Sequence, residues 1–334
     1  MTRKRPARPL EVLLVGCGRA SHAHVRAIRY FEKKGFLTLS GLVDRDTKAM
    51  EAVIRTGRRG IQAPFMSTDL DDMLANKSFD IAVIATPPVT HAPLAHKALE
   101  AGAHLVVEKP LAMDAAEAEG LVARARELGR VLVMGFKYRY IPGVSELKDF
   151  IAGGALGAVV YGTVTTRWGH DQAYYDQAAW FGSWKAEGGA LMNQSIHALD
   201  LMAWLMDAEP VAATAVLARQ CHEMEAADLV SGTLELRDNR YLLLEGTTNT
   251  DPDRHEASFF LRLEKGTVRA SFASGKQSVS VLPDGGKDLG RKLLLKAAWN
   301  RLKGEGPGLI RELGNPFTFL YADLLDAIRE ERPP

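Results

Sequence analysis

The chain has 334 residues, enough for about two domains of ordinary size. Hydrophobic residues make up 46% of it, charged residues make up 25% and the net charge is +1, so the composition excludes a disordered polyelectrolyte and argues against a large nucleic-acid interface. Its two cysteines, Cys17 and Cys221, are too few for a disulfide framework of the secreted kind, and the basic start of the chain leads into no secretory apolar region. We therefore expect a cytoplasmic protein that binds small molecules, without nucleic-acid or membrane partners.

The first apolar run breaks into a glycine turn. Val12 to Val15 has the length and branching of a buried parallel strand, and Gly16 and Gly18 supply a tight turn that brings backbone N–H groups up to a pyrophosphate. A helical pattern follows, so the positive end of its dipole would lie under the phosphates. A Gly-x-Gly pattern alone is weak, and Ser21 stands where a third glycine or alanine is usual. The prediction of a dinucleotide site therefore depends on the strand before the turn and the helix after it.

A second predicted strand, Leu37 to Val43, completes a strand–helix–strand unit and ends in Asp44. An acidic residue roughly 20 residues beyond the glycines typically binds the ribose 2′-hydroxyl of NAD, and Asp44 meets that spacing loosely. The arginines that could instead receive the 2′-phosphate of NADP are Arg45, Arg55, Arg58 and Arg59. The sequence therefore favours NAD and leaves NADP open.

Strands and helices go on alternating to about residue 137. The fourth strand is expected at Asp80 to Ala85, the fifth at His104 to Val107 and the sixth at Val131 to Phe136. The pattern gives no residue limits for the third strand. This alternation predicts an α/β fold with a doubly wound parallel sheet of the Rossmann type, and ligands bind such sheets outside the carboxyl ends of the strands. The segments predicted to meet there are the Gly16 turn, Asp44, Thr86-Pro87 and Glu108-Lys109-Pro110.

After Pro142 the pattern changes to strand-like stretches joined by short polar turns, which predict a large, mainly antiparallel open sheet. The expected strands are Val159 to Arg167, Val211 to Ala218, Leu229 to Arg237, Tyr241 to Thr248, Ser258 to Leu263, Thr267 to Phe272 and Ser278 to Leu282. A helix from Gly189 to Leu205 would cover one face. We divide the chain into a dinucleotide-binding domain, residues 1–137, and an α+β domain for substrate binding and oligomerisation, residues 138–334. A last helix, at about residues 316–331, could pack back on the first domain.

Two polar features stand out against apolar surroundings. Asn193, His197 and Asp200 are spaced four and three apart, so they would share one stripe of an otherwise apolar helix. A buried polar group without a partner costs about 1–3 kcal/mol, so these residues must be hydrogen-bonded or functional, and spacing alone favours a structural role. Lys109 would be held in extended geometry before a proline, although by itself an ordinary lysine paired with Glu108 is the better interpretation.

Together these motifs resemble the glucose-fructose oxidoreductase/inositol dehydrogenase (Gfo/Idh/MocA) family along nearly the whole chain. The residues that carry the resemblance are Gly16-Cys17-Gly18 with His24, Asp44, Thr86-Pro87-Pro88-Val89-Thr90-His91, Glu108-Lys109-Pro110, Gly135-Phe136 with Arg139 and Pro142, and Gly188-Gly189 with Asn193, His197 and Asp200. The resemblance implies a first domain that binds NAD or NADP. It also implies a second domain whose open sheet packs against substrate and often against another subunit, so a homo-oligomer is expected.

The resemblance implies roles for single residues as well. Lys109 would bind the reacting hydroxyl and the nicotinamide ribose, and His197 would exchange the proton, because oxidising an alcohol needs a hydride acceptor and a base. Which of the two accepts the proton stays open. The residues expected to bind the cofactor are Gly16, Cys17, Gly18, Arg19, Ala20, Ser21, Asp44, Arg45, Thr86, Pro87, His91, Glu108 and Lys109. The residues expected to bind substrate are Asn193, Asp200, Arg139, Trp168, Tyr174, Trp184 and Lys185.

The sequence gives a few further indications about ligands. Many polyol-oxidising members of the family carry aspartate where this chain has Asn193, and asparagine here resembles some nucleotide-sugar and glycoside 3-dehydrogenases. Aromatic residues with polar neighbours at Trp168 to Tyr175 and Trp180 to Lys185 suit a sugar ring, although such aromatics are often interface core. No Cys-x-x-Cys or His-Glu-x-x-His spacing is present, so we assign no metal.

The sequence thus predicts an NAD(P)-dependent dehydrogenase or reductase that acts on a ring hydroxyl, such as that at C3, of a sugar, a sugar derivative or a polyol. Two alternatives stay open. A non-catalytic relative that senses dinucleotide or sugar would be expected to lose Lys109 or His197, and this chain keeps both. A reductase of a non-sugar carbonyl such as a diketone or dihydrodiol would be favoured by a mainly apolar pocket around Trp168, Tyr174 and Trp184.

Overall fold

A computed structural model describes residues 5–56, 63–273, 276–305 and 314–333. The chain divides into two compact units: Met1–Lys137 with Pro307–Pro334 form the first, and Tyr138–Gly306 form the second. Within the described ranges, no helix is both long enough and apolar enough to cross a membrane. Each unit is built around its own sheet, and the first unit supplies the strand ends that carry the predicted cofactor residues.

The strands of the first unit are Leu10–Val15 (β1), Leu37–Val43 (β2), Phe65–Ser67 (β3), Ile81–Ile84 (β4), His104–Val107 (β5) and Leu132–Met134 (β6). They pair in parallel in the order β3-β2-β1-β4-β5-β6, which confirms the predicted doubly wound sheet. Every residue of β4 is buried, as expected for a parallel strand covered on both faces. The unbounded third strand is a short edge strand whose Phe65 and Met66 are exposed, so no buried apolar run marks it in the sequence.

The helices that connect these strands are Ser21–Lys33 (α1), Thr47–Arg55 (α2), Leu70–Asn76 (α3), His91–Glu100 (α4) and Ala115–Glu127 (α5). Asp46, Asp69 and Asp114 cap α2, α3 and α5, because each side chain accepts a hydrogen bond from a backbone N–H of the first turn. The strand order reverses between β1 and β4, and ligands bind doubly wound sheets at such a reversal. Gly16 follows β1 directly, and Thr86 lies two residues beyond the end of β4.

The strands of the second unit are Val159–Arg167 (β7), Pro210–Ala218 (β8), Leu229–Leu236 (β9), Arg240–Thr247 (β10), Glu256–Leu263 (β11), Gly266–Ala273 (β12) and Lys276–Pro283 (β13). They form one sheet in the order β13-β12-β11-β7-β10-β9-β8. β7 and β10 pair in parallel and the other neighbours pair antiparallel, which confirms the predicted, mainly antiparallel sheet.

The helices of the second unit are Val144–Ala152 (α6), Gln172–Tyr175 (α7), Ile196–Met206 (α8) and Gly290–Glu305 (α9). α8 packs on one face of the sheet, where its Leu201 and Met202 belong to the buried core. The opposite face exposes Tyr161, Tyr241 and Leu243 by 38%, 39% and 45%. One face of the sheet is therefore packed by helices, and large side chains lie open on the other.

The helix expected from Gly189 to Leu205 differs at its start. Ala190–Ser195 form a π-helix, which leads directly into α8. A π turn holds about one residue more than an α turn, so Asn193 is rotated relative to His197 from the position that α-helical spacing gives. The expectation of one continuous α-helical stripe is wrong in this first turn.

The last helix, Pro316–Glu330 (α10), belongs to the first unit and packs on α1. The ring centroids of Phe317 and His24 lie 4.2 Å apart. Asn315 caps α10 by accepting a hydrogen bond from the Phe317 N–H, and its Nδ2 donates to the carbonyl oxygen of Ala23 at 3.0 Å. A single side-chain amide therefore begins α10 and ties it to α1.

Replacing Asn315 with alanine removes both of these hydrogen bonds. We expect Asn315→Ala to lower the free energy of unfolding by about 1–3 kcal/mol, because a helix cap and a buried tertiary hydrogen bond are lost together. Urea unfolding measures the change. Asp69→Ala is the matched control, since Asp69 caps α3 from an exposed position. Equal losses in the two variants would show that the bond to Ala23 contributes nothing.

Candidate active site

The glycine turn after β1 has the backbone shape that a pyrophosphate site needs. Gly16 has a φ of +91°, and a Cβ there would lie 2.5 Å from the carbonyl oxygen of Ala85 at the end of β4. Only glycine allows the chain to pass so close to β4. A Cβ on Gly18, in contrast, would meet no atom within 4 Å, and Gly18, Arg19 and Ala20 are exposed. The turn thus offers an open backbone surface.

Ser21 begins α1 and holds the turn in place. Its side chain is fully buried, and its hydroxyl donates to the carbonyl oxygen of Gly18 at 2.7 Å. Ala20, in the N-cap position, supplies no side-chain acceptor for the N–H groups of the first turn. Those N–H groups and the positive end of the helix dipole suit an anionic phosphate. The residues at this turn therefore fit the diphosphate of a dinucleotide.

Asp44 is fixed beside the glycine turn at the end of β2. Its Oδ2 accepts from the Cys17 N–H at 2.6 Å and its Oδ1 accepts from the Asp46 N–H at 2.8 Å. Burial and the neighbouring Asp44 carboxylate raise the pKa of the Cys17 thiol to about 12, so this cysteine stays protonated and contributes backbone only. Arg45 is exposed, whereas the candidate phosphate ligands Arg58 and Arg59 lie outside the described residues.

His91 connects the turns that follow β4 and β5. It is 1% exposed, and its Nδ1 and Nε2 lie 2.7 Å from the carbonyl oxygens of Pro110 and Thr86. Burial lowers the pKa of His91 even though these carbonyls favour the charged form. Direct contact with the cofactor, the expectation for His91, is not what this geometry supports. The residue instead positions the Thr86-Pro87 turn against the turn that carries Lys109.

Glu108 is the centre of a buried hydrogen-bond chain. Its Oε1 accepts from His24 Nε2 at 2.9 Å, and its Oε2 accepts from the Lys109 N–H at 3.2 Å. Since a carboxylate only accepts, His24 carries a proton on Nε2, and its Nδ1 lies 3.1 Å from the Tyr321 hydroxyl. Burial alone would raise the pKa of Glu108, but the hydrogen bond from His24 and the charges of His24 and Lys109 outweigh it and lower that pKa.

Lys109 stands at the carboxyl end of β5, where the sequence places it. The residue is half-buried, and its peptide bond to Pro110 is cis. Gly135, at the end of the neighbouring β6, lies against the carboxylate of Glu108, because a Cβ there would be 3.1 Å from Oε2. The small residue at 135 therefore gives room to the carboxylate that holds the Lys109 backbone.

In the second unit, His197 lies in the first turn of α8 and is 6% exposed. The Tyr138 ring stacks on its imidazole with centroids 5.1 Å apart and an interplanar angle of 30°. One turn later, the two carboxylate oxygens of Asp200 accept hydrogen bonds from Nε and Nη2 of Arg139. Burial raises the pKa of Asp200, and Arg139 opposes that shift. Arg139 and Asp200, both expected to bind substrate, are thus joined to each other and fasten the 137–140 turn to α8.

Asn193 lies in the π-helix and meets two other polar groups. Its Nδ2 donates to Glu187 Oε1 at 2.5 Å and to the Tyr174 hydroxyl at 3.1 Å. Tyr174 is buried and stacks on His170 with centroids 3.7 Å apart. Two of the predicted substrate residues are therefore in contact, and Glu187 is a partner that the sequence did not reveal.

The remaining predicted substrate residues lie elsewhere in the second unit. Trp168 stacks on His255, with centroids 4.3 Å apart and nearly parallel rings. Trp184 is 43% exposed, and Lys185 beside it is exposed as well. An apolar cavity of about 70 Å³ in this unit is lined by other residues, among them Tyr138 and Phe272. The apolar pocket that a non-sugar carbonyl reductase would require around Trp168, Tyr174 and Trp184 is thus not this cavity.

The two units match two family models. Residues 10–136 match the model of an oxidoreductase family with an NAD-binding Rossmann fold, and residues 144–269 match the Gfo/Idh/MocA C-terminal domain. The chain belongs to the Gfo/Idh/MocA oxidoreductase family. Its first unit is accordingly an NAD-binding Rossmann domain, in agreement with the fit of the glycine turn and Asp44.

Individual relatives give the family match more detail. The WlbA dehydrogenase from Bordetella pertussis, solved with NADH and UDP-GlcNAcA, is 28% identical with a TM-score of 0.83, covering 99% of this chain and 91% of that one. Inositol 2-dehydrogenase from Rhizobium meliloti is 28% identical over 61% of this chain and 57% of its own length. A 2,7-anhydro-N-acetylneuraminate hydratase from Mediterraneibacter gnavus is 28% identical over 54% and 48%. The chain spans about half the length of the curated relatives it matches.

Three residues with contacts at the site do not belong to the Gfo/Idh/MocA motifs in the sequence. Tyr321 lies almost at the end of the chain, Tyr138 follows a motif without being part of it, and Glu187 precedes a glycine pair. The only sequence signal for Glu187 is an acidic residue directly before Gly188-Gly189 in a stretch that otherwise turns apolar. Tyr138 and Tyr321 reach their partners from distant segments, and Glu187 reaches Asn193, six residues on, through a backbone path that residue spacing does not report.

Alanine substitutions at the two glycines of the turn separate folding from binding. We expect Gly16→Ala to lower the free energy of unfolding by about 1–3 kcal/mol, because its positive φ and its contact with Ala85 leave no room for a Cβ. We expect Gly18→Ala to unfold like the wild type but to bind NADH at least about tenfold more weakly, since its Cβ enters the space above the turn.

Urea unfolding and calorimetric titration with NADH measure these two effects. Gly120→Ala is the control, because Gly120 is exposed in the middle of α5 and its Cβ would meet no atom within 4 Å. It should stabilise the protein by about 0.5–1 kcal/mol and leave NADH binding unchanged. Unchanged NADH binding in Gly18→Ala would show that the diphosphate binds elsewhere.

The buried chain at Glu108 gives a dependence on pH. Glu108→Gln keeps the side-chain shape but removes the charge that His24 and Lys109 stabilise, so we expect it to lower the free energy of unfolding by about 1–3 kcal/mol at pH 7. Because the folded protein lowers the pKa of Glu108 below 4.5, this difference should be complete above that pH and shrink as the pH falls through the folded-state pKa.

Urea unfolding of the wild type and of Glu108→Gln between pH 7 and pH 3 gives the two curves. Glu119→Gln, which removes an exposed carboxylate from α5, controls for the loss of one surface charge. Parallel curves for wild type and Glu108→Gln over the whole range would mean that the Glu108 charge does not stabilise the fold.

Proposed function

We propose that the protein is an NAD-dependent dehydrogenase that oxidises, or in reverse reduces, one ring position of a sugar derivative, with a nucleotide sugar as the favoured substrate class. The WlbA dehydrogenase that holds NADH and UDP-GlcNAcA matches this chain over 99% of its length, which supports that class. Inositol 2-dehydrogenase among the relatives supports oxidation of a ring hydroxyl more generally. Asn193 in place of aspartate agrees with the nucleotide-sugar preference.

The observation that supports the proposal is that a buried carboxylate binds the Lys109 backbone N–H and that the His197 ring is buried against Tyr138. Lys109 follows Glu108, whose carboxylate accepts hydrogen bonds from His24 and from the backbone N–H of Lys109. His197 lies on a buried helix against the ring of Tyr138. A protein that only senses a dinucleotide or a sugar needs neither Lys109 nor His197, whereas proton and hydride transfer need groups held in fixed positions.

The chemistry assigns a separate task to each group. Bound NAD⁺ supplies the hydride acceptor. The Lys109 ammonium donates a hydrogen bond to the oxygen of the reacting hydroxyl and draws electron density from it. The neutral His197 imidazole takes the hydroxyl proton and returns it in the reverse direction. With Lys109 as the ammonium, His197 is the proton acceptor; Lys109 takes its place as acceptor only in the form of the neutral amine.

The second unit would hold the rest of the substrate. Asn193 orients a ring hydroxyl, Trp168 and Trp184 offer aromatic faces to the sugar, and Lys185 is an exposed cation for a phosphate or carboxylate. The Arg139–Asp200 pair acts indirectly by holding the 137–140 turn on α8. We also propose that the open face of the sheet, with Tyr161, Tyr241 and Leu243, pairs two copies of the chain.

Dinucleotide titration followed by turnover tests this function. The wild type should bind NADH and then reduce NAD⁺ with UDP-GlcNAcA or another compound in a panel of nucleotide sugars, glycosides and inositols, followed by absorbance of the reduced nicotinamide. Lys109→Ala and His197→Ala should each lower kcat by at least about 10²-fold while NADH binding is retained.

Lys97→Ala and His96→Ala are matched controls, because both residues are exposed on α4 and carry the same side-chain chemistry. They should leave turnover unchanged. Wild-type turnover in both Lys109→Ala and His197→Ala would contradict the mechanism. Tight NADH binding without turnover of any compound in the panel would favour a sensor, and binding of no dinucleotide would overturn the dehydrogenase assignment.

A further inference from the structure

A buried carboxylate that the proposed mechanism does not use lies behind Asn193. Glu187 is 1% exposed. Its Oε2 accepts from the Gly182 N–H at 2.5 Å, its Oε1 accepts from Asn193 Nδ2 at 2.5 Å, and the Tyr174 hydroxyl lies 3.4 Å from Oε1. Burial of a carboxylate is costly unless donors surround it. Here a backbone N–H, an amide and a hydroxyl perform that task.

The backbone around Glu187 is fixed rather than adaptable. Gly188 and Gly189 have φ of +78° and +63°, and a Cβ on Gly189 would lie 2.4 Å from the carbonyl oxygen of Ala227. The Ala190 N–H then donates to that same oxygen at 2.9 Å. The segment that presents Glu187 is thus pressed against the chain just before β9, and the carboxylate has little freedom to move away from Asn193.

The contacts of Glu187 determine which way the Asn193 amide faces. A carboxylate has no proton to give, so only the NH₂ end of the amide can face it. The second partner, the Tyr174 hydroxyl, also receives a hydrogen bond from Nδ2. Both amide protons are therefore engaged by Glu187 and Tyr174, and the amide oxygen is turned away from them.

We propose that Glu187 is a positioning residue that determines specificity: it locks the Asn193 amide so that the oxygen, not the nitrogen, meets the substrate. This inference rests on the proposed function, in which Asn193 contacts the substrate. The site then selects a group that donates a hydrogen bond. A substrate hydroxyl satisfies Asn193 Oδ1, whereas a carbonyl, an ether or a carboxylate at that position leaves two acceptors facing each other.

A pair of exchanged side chains tests the orientation. In Glu187→Gln the carboxylate becomes an amide, so Asn193 can turn either way. In Asn193→Asp two carboxylates meet at hydrogen-bond distance and repel each other. In the double variant Glu187→Gln/Asn193→Asp the amide introduced at position 187 donates from its NH₂ to the new carboxylate at position 193, whose second oxygen again faces the substrate as an acceptor. If Glu187 orients Asn193, kcat/KM should fall in both single variants and recover in the double variant.

The first readout needs no substrate. With the full-length protein labelled with ¹⁵N at asparagine, the side-chain amide signal that disappears in Asn193→Asp belongs to Asn193. Its short hydrogen bond to a carboxylate should shift one of its protons downfield, and Glu187→Gln should move that proton back. A signal that stays unchanged in Glu187→Gln overturns the inference, whatever the activity data show.

The second readout is kinetic, with UDP-GlcNAcA as the probe. We expect kcat/KM to fall at least about tenfold in each single variant and to return to within about threefold of wild type in the double variant, with most of the loss in KM for the sugar and little change in NADH binding. Losses that add in the double variant overturn the inference. Glu209→Gln is the control, because Glu209 is an exposed carboxylate paired with Arg237 in the same unit.

The two proposals fail in different ways. If the wild type binds NADH but oxidises neither UDP-GlcNAcA nor any other compound in the panel, the proposed function fails and the specificity role fails with it, whereas the nuclear magnetic resonance signal still decides whether Glu187 orients Asn193. If turnover is present and the double variant does not recover, only the role of Glu187 is overturned. Thermal unfolding of all three variants shows that each one folds.

Discussion

The hydrogen bond between His24 and Glu108 is the interaction on which the first unit depends. A carboxylate at the buried end of a parallel strand is stable only if donors reach it, and here they come from α1 and from the next backbone N–H. The other nitrogen of the imidazole lies 3.1 Å from the hydroxyl of Tyr321, which is 297 residues away in the chain. Burial keeps the pKa of Tyr321 well above its ordinary value, so the hydroxyl remains a donor. Helix α1, the turn that carries Lys109 and the last helix are therefore held by a single chain of buried hydrogen bonds.

The same device recurs in the second unit. The Glu187 carboxylate accepts a hydrogen bond from the Asn193 side chain, and the Glu108 carboxylate accepts one from the Lys109 backbone. In both cases further buried donors hold the carboxylate in place. Asp200 with Arg139 is the third buried carboxylate of this kind, one turn beyond His197. The desolvation cost of each charge offsets much of the attraction to its partners, whereas removing one member of such a group is strongly destabilising. The residues assigned to the proposed reaction are thus held in position by groups that do not take part in it.

The sequence predicts the parts of the fold that follow from local pattern. Buried apolar runs give five strands of the first sheet, and the carboxyl ends of those strands give the location of Gly16, Asp44 and Lys109. The edge strand β3 gives no such run because its side chains are exposed, and the π turn before α8 depends on backbone hydrogen bonds that no residue type dictates. His91 shows the limit most directly, since a motif histidine proves to be a buried tie between two turns. A partner such as Tyr321 becomes visible only when distant segments meet, whereas the contact of Glu187 depends on the local backbone path to Asn193.

With asparagine at position 193 the nearby negative charge lies on Glu187, whereas an aspartate would place it at position 193 itself. In our proposal, asparagine held by Glu187 presents a neutral acceptor oxygen to the substrate, and the negative charge stays on Glu187, which the Gly182 N–H and the Tyr174 hydroxyl bind. Electrostatic repulsion falls with distance and with the donors placed between charges, so an anionic substrate meets less of it than a surface aspartate would create. A neutral acceptor also cannot take the hydroxyl proton. In the proposed mechanism, proton exchange therefore remains with Lys109 and His197, and Asn193 selects only which hydroxyl is presented to them.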